Sequence, residues 1–184
     1  MKKLILLILI ILLAIFAYFY YFTSTFNKNY KIPLFNNEAR INLTSSAFAN
    51  GSLIPSQYTC DGQDINPPLT FSNVPVETKS LALTIEDPDA SSFTHLVIFN
   101  IQPQTTDIAE NSVDQDGVSG TNDFGTQGYA GPCPTTGEHH YVFTVYALSD
   151  FVNLTQGITK KQLLDKIQNI TLQTGTLVGL YKKQ

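Results

Sequence analysis

Three histidines and two closely spaced aspartates are the side chains of this sequence best suited to chemistry. Asp87 and Asp89 flank a proline at the end of one apolar run, and His95 opens the next run. His139 and His140 precede a third apolar run. Side chains at strand ends can meet at one end of a β-sandwich. There, an aspartate that orients a histidine, beside a second histidine and a tyrosine hydroxyl, makes an anion pocket. Because successive strand residues point to opposite faces, only one of His139 and His140 can face it.

The residues alone also leave a plainer interpretation open. Asp87 and Asp89 are typical turn formers, and histidines at strand ends are compatible with ordinary hydrogen-bonded positions. Two histidines and two aspartates would suffice for a divalent metal, but there is no H-E-x-x-H motif, and we predict no metal and no cofactor. There is also no G-x-S-x-G elbow and no evident activated serine or cysteine. We therefore predict no catalytic residue.

Short strands are the elements that would position these side chains. Runs rich in Val, Ile, Phe, Tyr and Leu predict strands over residues 69–71, 80–85, 95–101 and 141–148, and a closing strand over 172–181. The segments LALTI, LVIFNI and YVFTVYAL are apolar on both faces, which is typical of central strands in a sandwich.

One helix is predicted near the C-terminus. Thr159 and Gln162 form a Thr-x-x-Gln capping box at its start. An apolar stripe follows, made of Leu163, Leu164, Ile167 and Ile170. Lys160 is expected on the exposed side. The predicted fold class is therefore mostly β, with one or two peripheral helices.

The stretch 102–140 has little periodicity and is rich in glycine and proline. Loops of this length in compact domains are usually functional or disordered. Phe124 and Tyr129 argue against disorder, so we predict an ordered loop that shapes a site.

The N-terminal end differs from the rest of the chain. Residues 4–22 are an unbroken run of 19 apolar or aromatic residues behind two lysines, long enough to cross the roughly 30 Å hydrocarbon core of a bilayer. We predict a transmembrane signal-anchor helix over residues 1–22, a tether over 23–40 and one domain over 41–184. A cleaved signal peptide is the alternative. The domain is expected outside the cytoplasm, membrane-anchored through residues 4–22, or secreted if that segment is removed.

The charge balance excludes one class of partner. Residues 1–22 hold two lysines and no acidic residue, so nine basic residues face fifteen acidic ones in the remainder. Nucleic-acid binding needs concentrated lysine and arginine, which this remainder lacks. We therefore predict no nucleic-acid partner.

Five further segments stand in a fixed order along the chain: YTCDGQDINPPLTFSNVP (58–75), SLALTIEDPDA (80–90), THLVIFNI (94–101), GTNDFGTQGYAGPCP (120–134) and EHHYVFTVYAL (138–148). In this order and spacing, they resemble the phosphatidylethanolamine-binding protein family, in its bacterial and archaeal Raf-kinase-inhibitor-like branch. The resemblance covers residues 43–181 and implies a β-sandwich with a small anion pocket. Ser91, Leu96 and His140 depart from the residues usual in the family, and none of these departures removes a pocket residue.

The resemblance also implies which residues bind the ligand. They are Asp87, Asp89, His95, Gly131, Pro132, Cys133, Pro134, His139 and Tyr141. Cys60 and Cys133 lie in the two motifs that flank this site, and both a disulfide and two buried thiols stay open.

The function that this implies is that of a non-catalytic binding protein, Raf-kinase-inhibitor-like, for phosphate-like head groups or phosphorylated partners. A small anion or phosphorylated ligand is the expected partner, and a protein partner is also compatible with a binding function. The alternatives are a secreted protein of the protease-inhibitor type, and a hydrolase that uses Asp87 and His139 as an acid–base pair.

Overall fold

The computed structural model describes residues 40–183. This part of the chain folds into nine strands and one α-helix. In chain order they are β1 (Asn42–Thr44), β2 (Ser52–Leu53), β3 (Leu69–Ser72), β4 (Ser80–Asp87), β5 (Phe93–Ile101), β6 (Asp107–Ile108), β7 (Val118–Ser119), β8 (Glu138–Leu148), α1 (Lys160–Ile167) and β9 (Thr171–Lys182). Single turns of 3-10 helix lie at Ser56–Tyr58, Pro88–Ala90 and Val113–Gln115.

The strands form two sheets. The smaller sheet is antiparallel and has the order β1-β3-β6. The larger sheet has the order β2-β9-β8-β4-β5-β7, and it is antiparallel except where β2 pairs with β9. The prediction of a mostly β fold is confirmed.

One apolar core joins the two sheets. It contains Phe71 from the smaller sheet together with Leu83, Ile98 and Phe143 from the larger one, and all four side chains are almost completely buried. Burial of large apolar side chains stabilises a sandwich by roughly 1.5–3 kcal/mol for each residue. This core therefore fixes the larger sheet, whose strands carry the site described below.

A second apolar cluster covers the other face of the larger sheet. Val97 and Phe99 of β5 pack there with Leu163 and Ile167 of α1. Both odd- and even-numbered residues of β5 are buried, and successive strand residues point to opposite faces. The strand therefore has apolar side chains on both faces of the sheet, as its sequence predicts.

Helix α1 begins with the predicted capping box. The hydroxyl of Thr159 accepts from the backbone N–H of Gln162, and the side chain of Gln162 accepts from the backbone N–H of Thr159. The expectation that Lys160 is exposed is wrong, since its side chain is only 15% exposed. Its ammonium group pairs with Glu86 of β4 and donates to the carbonyl of Ser92. The first turn of α1 is thereby tied to the β4–β5 connection.

The stretch 102–140 is more regular than predicted. It contains the short strands β6 and β7, and β8 begins at Glu138. β6 pairs with β3 and β7 pairs with β5, each over two residues. A two-residue strand leaves no period in a sequence, which is why these strands could not be predicted.

The predicted fold class needs one correction. Within residues 40–183, no helix is long and apolar enough to cross a bilayer. The fold described by the structure is thus a mostly β domain without the transmembrane helix that the prediction included. The predicted helix was assigned to residues 1–22, which lie outside the described residues. Residues 23–39 of the predicted tether lie outside them as well.

Candidate functional site

The topology of the larger sheet brings the predicted site residues together. β4 runs antiparallel to both β5 and β8, so the C-terminal end of β4 lies beside the N-terminal ends of its two neighbours. Asp87 pairs in register with Phe93, and Glu86 pairs with Val142. The end of β4 and the beginnings of β5 and β8 therefore form one edge of the sheet.

Asp87 organises this edge. Its Oδ1 atom accepts from the backbone N–H groups of Asp89 at 2.9 Å and Ala90 at 3.1 Å, which closes the 3-10 turn after β4. Its Oδ2 atom lies 2.6 Å from Nδ1 of His139. The residue is 2% exposed. Because three N–H groups point at this buried carboxyl group, it acts as an acceptor that both shapes the turn and orients the imidazole ring.

The contact with Asp87 changes the ionisation of His139. The hydrogen bond raises the pKa of His139 above its ordinary value, while burial acts against it. Nδ1 carries a proton because the carboxylate of Asp87 can only accept. In the imidazolium form, Nε2 also carries a proton, and the ring can donate to a ligand.

His95 is held in a different state. Its Nδ1 atom lies 2.7 Å from the carbonyl oxygen of Ala130. Burial lowers the pKa of His95, and the Ala130 carbonyl opposes that effect. Its ring packs against the rings of Phe93, Phe124 and Tyr141, with centroids 5.4, 5.7 and 5.2 Å away. Low-dielectric surroundings of this kind favour the neutral imidazole.

Tyr141 carries an unused polar group. The residue is fully buried, yet its hydroxyl oxygen makes no hydrogen bond of ordinary length and angle with the described residues. Burial, followed by the charge of the Asp87 carboxylate and its hydrogen-bonding influence, raises the pKa of Tyr141 above its ordinary value, and the backbone of Cys133 opposes this. The group is therefore a protonated phenol, able to donate and to accept. A buried polar group without a partner is costly, and a bound ligand would satisfy it.

These side chains line a cavity of about 240 Å³. Its wall combines the polar groups with aromatic and small apolar ones: Asp87, Ala90, Phe93, His95, Phe124, Cys133, Pro134, Thr135, His139 and Tyr141. The volume fits a small anion or a compact head group, and an apolar wall with a few polar groups is typical of ligand sites.

Asp89 lies apart from this cavity. Its carboxylate accepts from the backbone N–H of His140 and lies 2.8 Å from Nδ1 of the same residue. His140 lowers the pKa of Asp89 through these hydrogen bonds. The pair is exposed, so only His139 of the two adjacent histidines faces the cavity. Among the described residues, no group of three or more histidine, cysteine, aspartate or glutamate side chains converges to hold a metal ion.

Gly131 and Pro132 form the support behind the wall. The N–H of Gly131 donates to Oδ1 of Asp64 at 2.6 Å, and the carbonyl of Pro132 accepts from the N–H of Cys60 at 3.1 Å. A Cβ atom on Gly131 would lie 2.6 Å from the carbonyl oxygen of Tyr58, so the close approach requires glycine. Neither residue lines the cavity.

A disulfide joins Cys60 to Cys133. The two Cα atoms are 5.4 Å apart, within the range that a disulfide spans. Because Cys133 and Pro134 line the cavity, this bond fixes one wall of the site to the segment around Cys60.

Two aromatic residues of the wall were not predicted from the sequence. Phe93 is half-buried at the start of β5, and Phe124 is 52% exposed at the mouth of the cavity. The loop that carries Phe124 is organised by Asn122, whose Oδ1 atom accepts from the N–H groups of Phe124 and Thr126. The Asn-Asp-Phe-Gly stretch is a turn signal, but it does not indicate which cavity the phenylalanine reaches.

The comparisons with known proteins agree with this architecture. Residues 44–182 match the family model of phosphatidylethanolamine-binding proteins. The chain belongs to the phosphatidylethanolamine-binding protein family. This confirms the family resemblance found in the sequence.

Relatives in the family cover almost the whole domain. A UPF0098 protein of Methanothermobacter thermautotrophicus is 47% identical over 150 residues, which is 78% of this chain and 99% of that protein. The crystal structure of the family homologue CT736 from Chlamydia trachomatis has 38% identity and a TM-score of 0.76, and it covers 79% of this chain and 99% of that one. E. coli YbcL, described as a member of the mammalian family, has 27% identity and a TM-score of 0.74, with coverage of 79% and 100%.

Proposed function

We propose that this member of the phosphatidylethanolamine-binding protein family is a non-catalytic binding protein. Its cavity holds a phosphate-like head group or the phosphoryl group of a phosphorylated partner. The observation that carries the proposal is the buried hydroxyl of Tyr141, which makes no hydrogen bond of ordinary geometry with the described residues and belongs to a residue that lines the same cavity as His139. A ligand oxygen would complete the hydrogen bonding of both groups.

The donors suit an oxygen-rich anion. The imidazolium of His139 contributes a positive charge and an N–H group, and hydrogen bonds to charged groups are stronger than neutral ones. The nearby carboxylate of Asp87 is already engaged by three N–H groups, so its charge is partly compensated before the ligand enters. The apolar wall keeps water away and strengthens these contacts.

The hydrolase alternative has less support. Asp87 and His139 do form a carboxylate–imidazole pair, as a general base requires. Cys133, the cysteine that lines the cavity, is in a disulfide and is therefore no nucleophile. The protease-inhibitor alternative depends on an exposed protein surface, and no feature of the cavity favours it.

The disulfide also supports a location outside the cytoplasm. Disulfides persist in oxidising compartments and are uncommon in the cytosol of most organisms. The proposed binding function therefore concerns ligands that are available in such a compartment.

Removing the Tyr141 hydroxyl tests the proposal. Isothermal titration of the purified protein with inorganic phosphate should give one site, and Tyr141→Phe should weaken binding about tenfold or more, since a hydrogen bond to a charged ligand is lost. Tyr146→Phe, on the same strand and packed against the other apolar cluster, is the matched control and should bind normally. Unchanged affinity in Tyr141→Phe would refute the assignment, and phosphate monoester hydrolysis by the wild-type protein would refute a purely binding role.

A further inference from the structure

The polar groups of the cavity are not all donors. His95 donates through Nδ1–H to the carbonyl of Ala130, because a carbonyl oxygen can only accept. A neutral imidazole carries one proton, so the lone pair of the ring is on Nε2. Since Nδ1 is turned to Ala130 while the ring lines the cavity, Nε2 is the nitrogen left for a ligand. The site therefore presents an acceptor as well as donors.

The environment of His95 keeps this acceptor in place. The aromatic rings of Phe93 and Phe124 pack around the imidazole, and Tyr141 approaches it from β8. The backbone of Ala130 and Gly131 and the carboxylates of Asp87 and Asp64 favour protonation of the ring, but burial has the larger effect and lowers the pKa of His95. Burial among aromatic rings, with Nδ1 turned to the Ala130 carbonyl, favours the neutral tautomer that has its lone pair on Nε2.

The net charge of the cavity is small. The charge of the His139 imidazolium is balanced by the carboxylate of Asp87, 2.6 Å away. The exposed pair of Asp89 and His140 lies outside the cavity and adds no unbalanced positive charge to it. A doubly charged anion would be poorly compensated in these buried surroundings, because desolvation of each uncompensated charge is expensive.

We infer that the cavity selects a phosphate monoester in its singly protonated form, with the ligand P–O–H donating to Nε2 of His95 and the remaining oxygens accepting from His139 and Tyr141. This inference rests on the proposed binding function and narrows its ligand class. A monoester has both the donor and the acceptors that the site requires. The phosphodiester of an intact phospholipid has no P–O–H group, so it leaves Nε2 of His95 without a partner.

Three small probes separate charge from hydrogen-bond donation. Methyl phosphate at pH 5.5 is mainly a monoanion with one hydroxyl, since the second pKa of such monoesters is about 6. Dimethyl phosphate and methyl sulfate are also monoanions of similar size, but neither has a hydroxyl. Sites built to bond a ligand hydroxyl reject analogues that lack it, because a buried polar group is then left unpaired.

Calorimetric titration of the wild-type protein at pH 5.5 is the first arm of the test. Methyl phosphate should bind at least about tenfold more tightly than dimethyl phosphate and methyl sulfate. Phosphoethanolamine should likewise bind more tightly than its diester glycerophosphoethanolamine. Equal affinities within these sets would overturn the inference and leave the anion site intact. Absence of binding by every probe would instead refute the proposed function itself.

His95→Asn is the second arm. Asparagine keeps an N–H donor for the carbonyl of Ala130 but has no atom at the position of Nε2. The preference for methyl phosphate over methyl sulfate should fall to about one in this variant, and His140→Asn, the control outside the cavity, should retain it. A preference that survives His95→Asn unchanged would overturn the inference. The wild-type selectivity stands as a test even if the variant does not fold.

Discussion

His139→Ala is the most informative single perturbation of the cavity, because the chain supplies its own control one residue away. The substitution removes the ring that Asp87 orients, and with it a cationic donor. His140→Ala removes an equal volume from the same strand, but there the ring pairs with Asp89 outside the cavity. A difference between the two variants therefore reports on the cavity.

The expected loss follows from the kind of bond removed. A hydrogen bond between a charged donor and an anion contributes about 1.5–3 kcal/mol, which corresponds to an affinity for phosphate about 10- to 150-fold weaker. The side chain of His139 is largely buried, so solvent screens this bond little. His140→Ala should change the affinity less than about twofold.

The loss of phosphate affinity in His139→Ala should become smaller as the pH rises. The pKa of His139 is raised in the folded protein by its hydrogen bond to Asp87, so the imidazolium is present below that pKa and disappears as the pH rises through it. Neutral His139 donates its one proton to Asp87 and has none for the ligand. The affinity ratio of wild type to His139→Ala should therefore be large at pH 5.5 and approach one at pH 9.

The same pKa shift predicts the pH dependence of stability. A pKa that is higher in the folded than in the unfolded state stabilises the fold fully below the unfolded value, about 6.5, and this contribution is lost as the pH rises through the folded value.

Isothermal titration of the three proteins with phosphate at pH 5.5 and pH 9 measures the affinities and their pH dependence, and urea titration of wild type and His139→Ala at the same two pH values measures the effect on stability. Comparing variants at one pH removes the effect of the phosphate's own ionisation. An affinity ratio that does not change with pH would show that His139 does not bind the ligand as an imidazolium. Equal losses in His139→Ala and His140→Ala would show that the cavity is not the binding site.

Two further predictions concern stability. Lys160→Met should lower the free energy of unfolding by about 1–2 kcal/mol in urea titrations, because it leaves the half-buried carboxylate of Glu86 without its cation. The side chain of Lys161 is 83% exposed, so the control Lys161→Met should change the free energy of unfolding by less than about 0.5 kcal/mol. Equal effects of the two substitutions would show that the ion pair of Lys160 and Glu86 does not stabilise the fold. The double replacement of Cys60 and Cys133 by alanine should cost about 4 kcal/mol, from the chain entropy of a 73-residue separation, and an unchanged urea midpoint would contradict it.

Local patterns were sufficient to predict the regular elements. The capping box of Thr159 and Gln162 is encoded within four residues, and it stands in the structure as the sequence predicts. Strands β4 and β8 could be predicted because each contains a short continuous apolar run, LALTI in β4 and the β-branched and aromatic run YVFTVYAL in β8, as buried strands do. These features need no knowledge of distant contacts.

Features that depend on distant contacts could not be predicted. Lys160 and Glu86 are 74 residues apart, and helical periodicity alone places the lysine on an open face. Gly131 belongs to a motif typical of the binding site, but its N–H is used by Asp64, so the residue supports the wall from behind. Phe124 reaches the cavity only through the path of its loop. In each case, the decisive partner lies in another element.

The central claim is that His139 and His95 contact one bound anion while His140 does not. The chain has three histidines, so their ring nitrogens can be followed together in a long-range 1H–15N NMR spectrum during a phosphate titration at pH 5.5. We expect the signals of His139 and His95 to shift with one common dissociation constant and those of His140 to stay in place. Signals of His139 and His95 that do not move, or that move no more than those of His140, would contradict it.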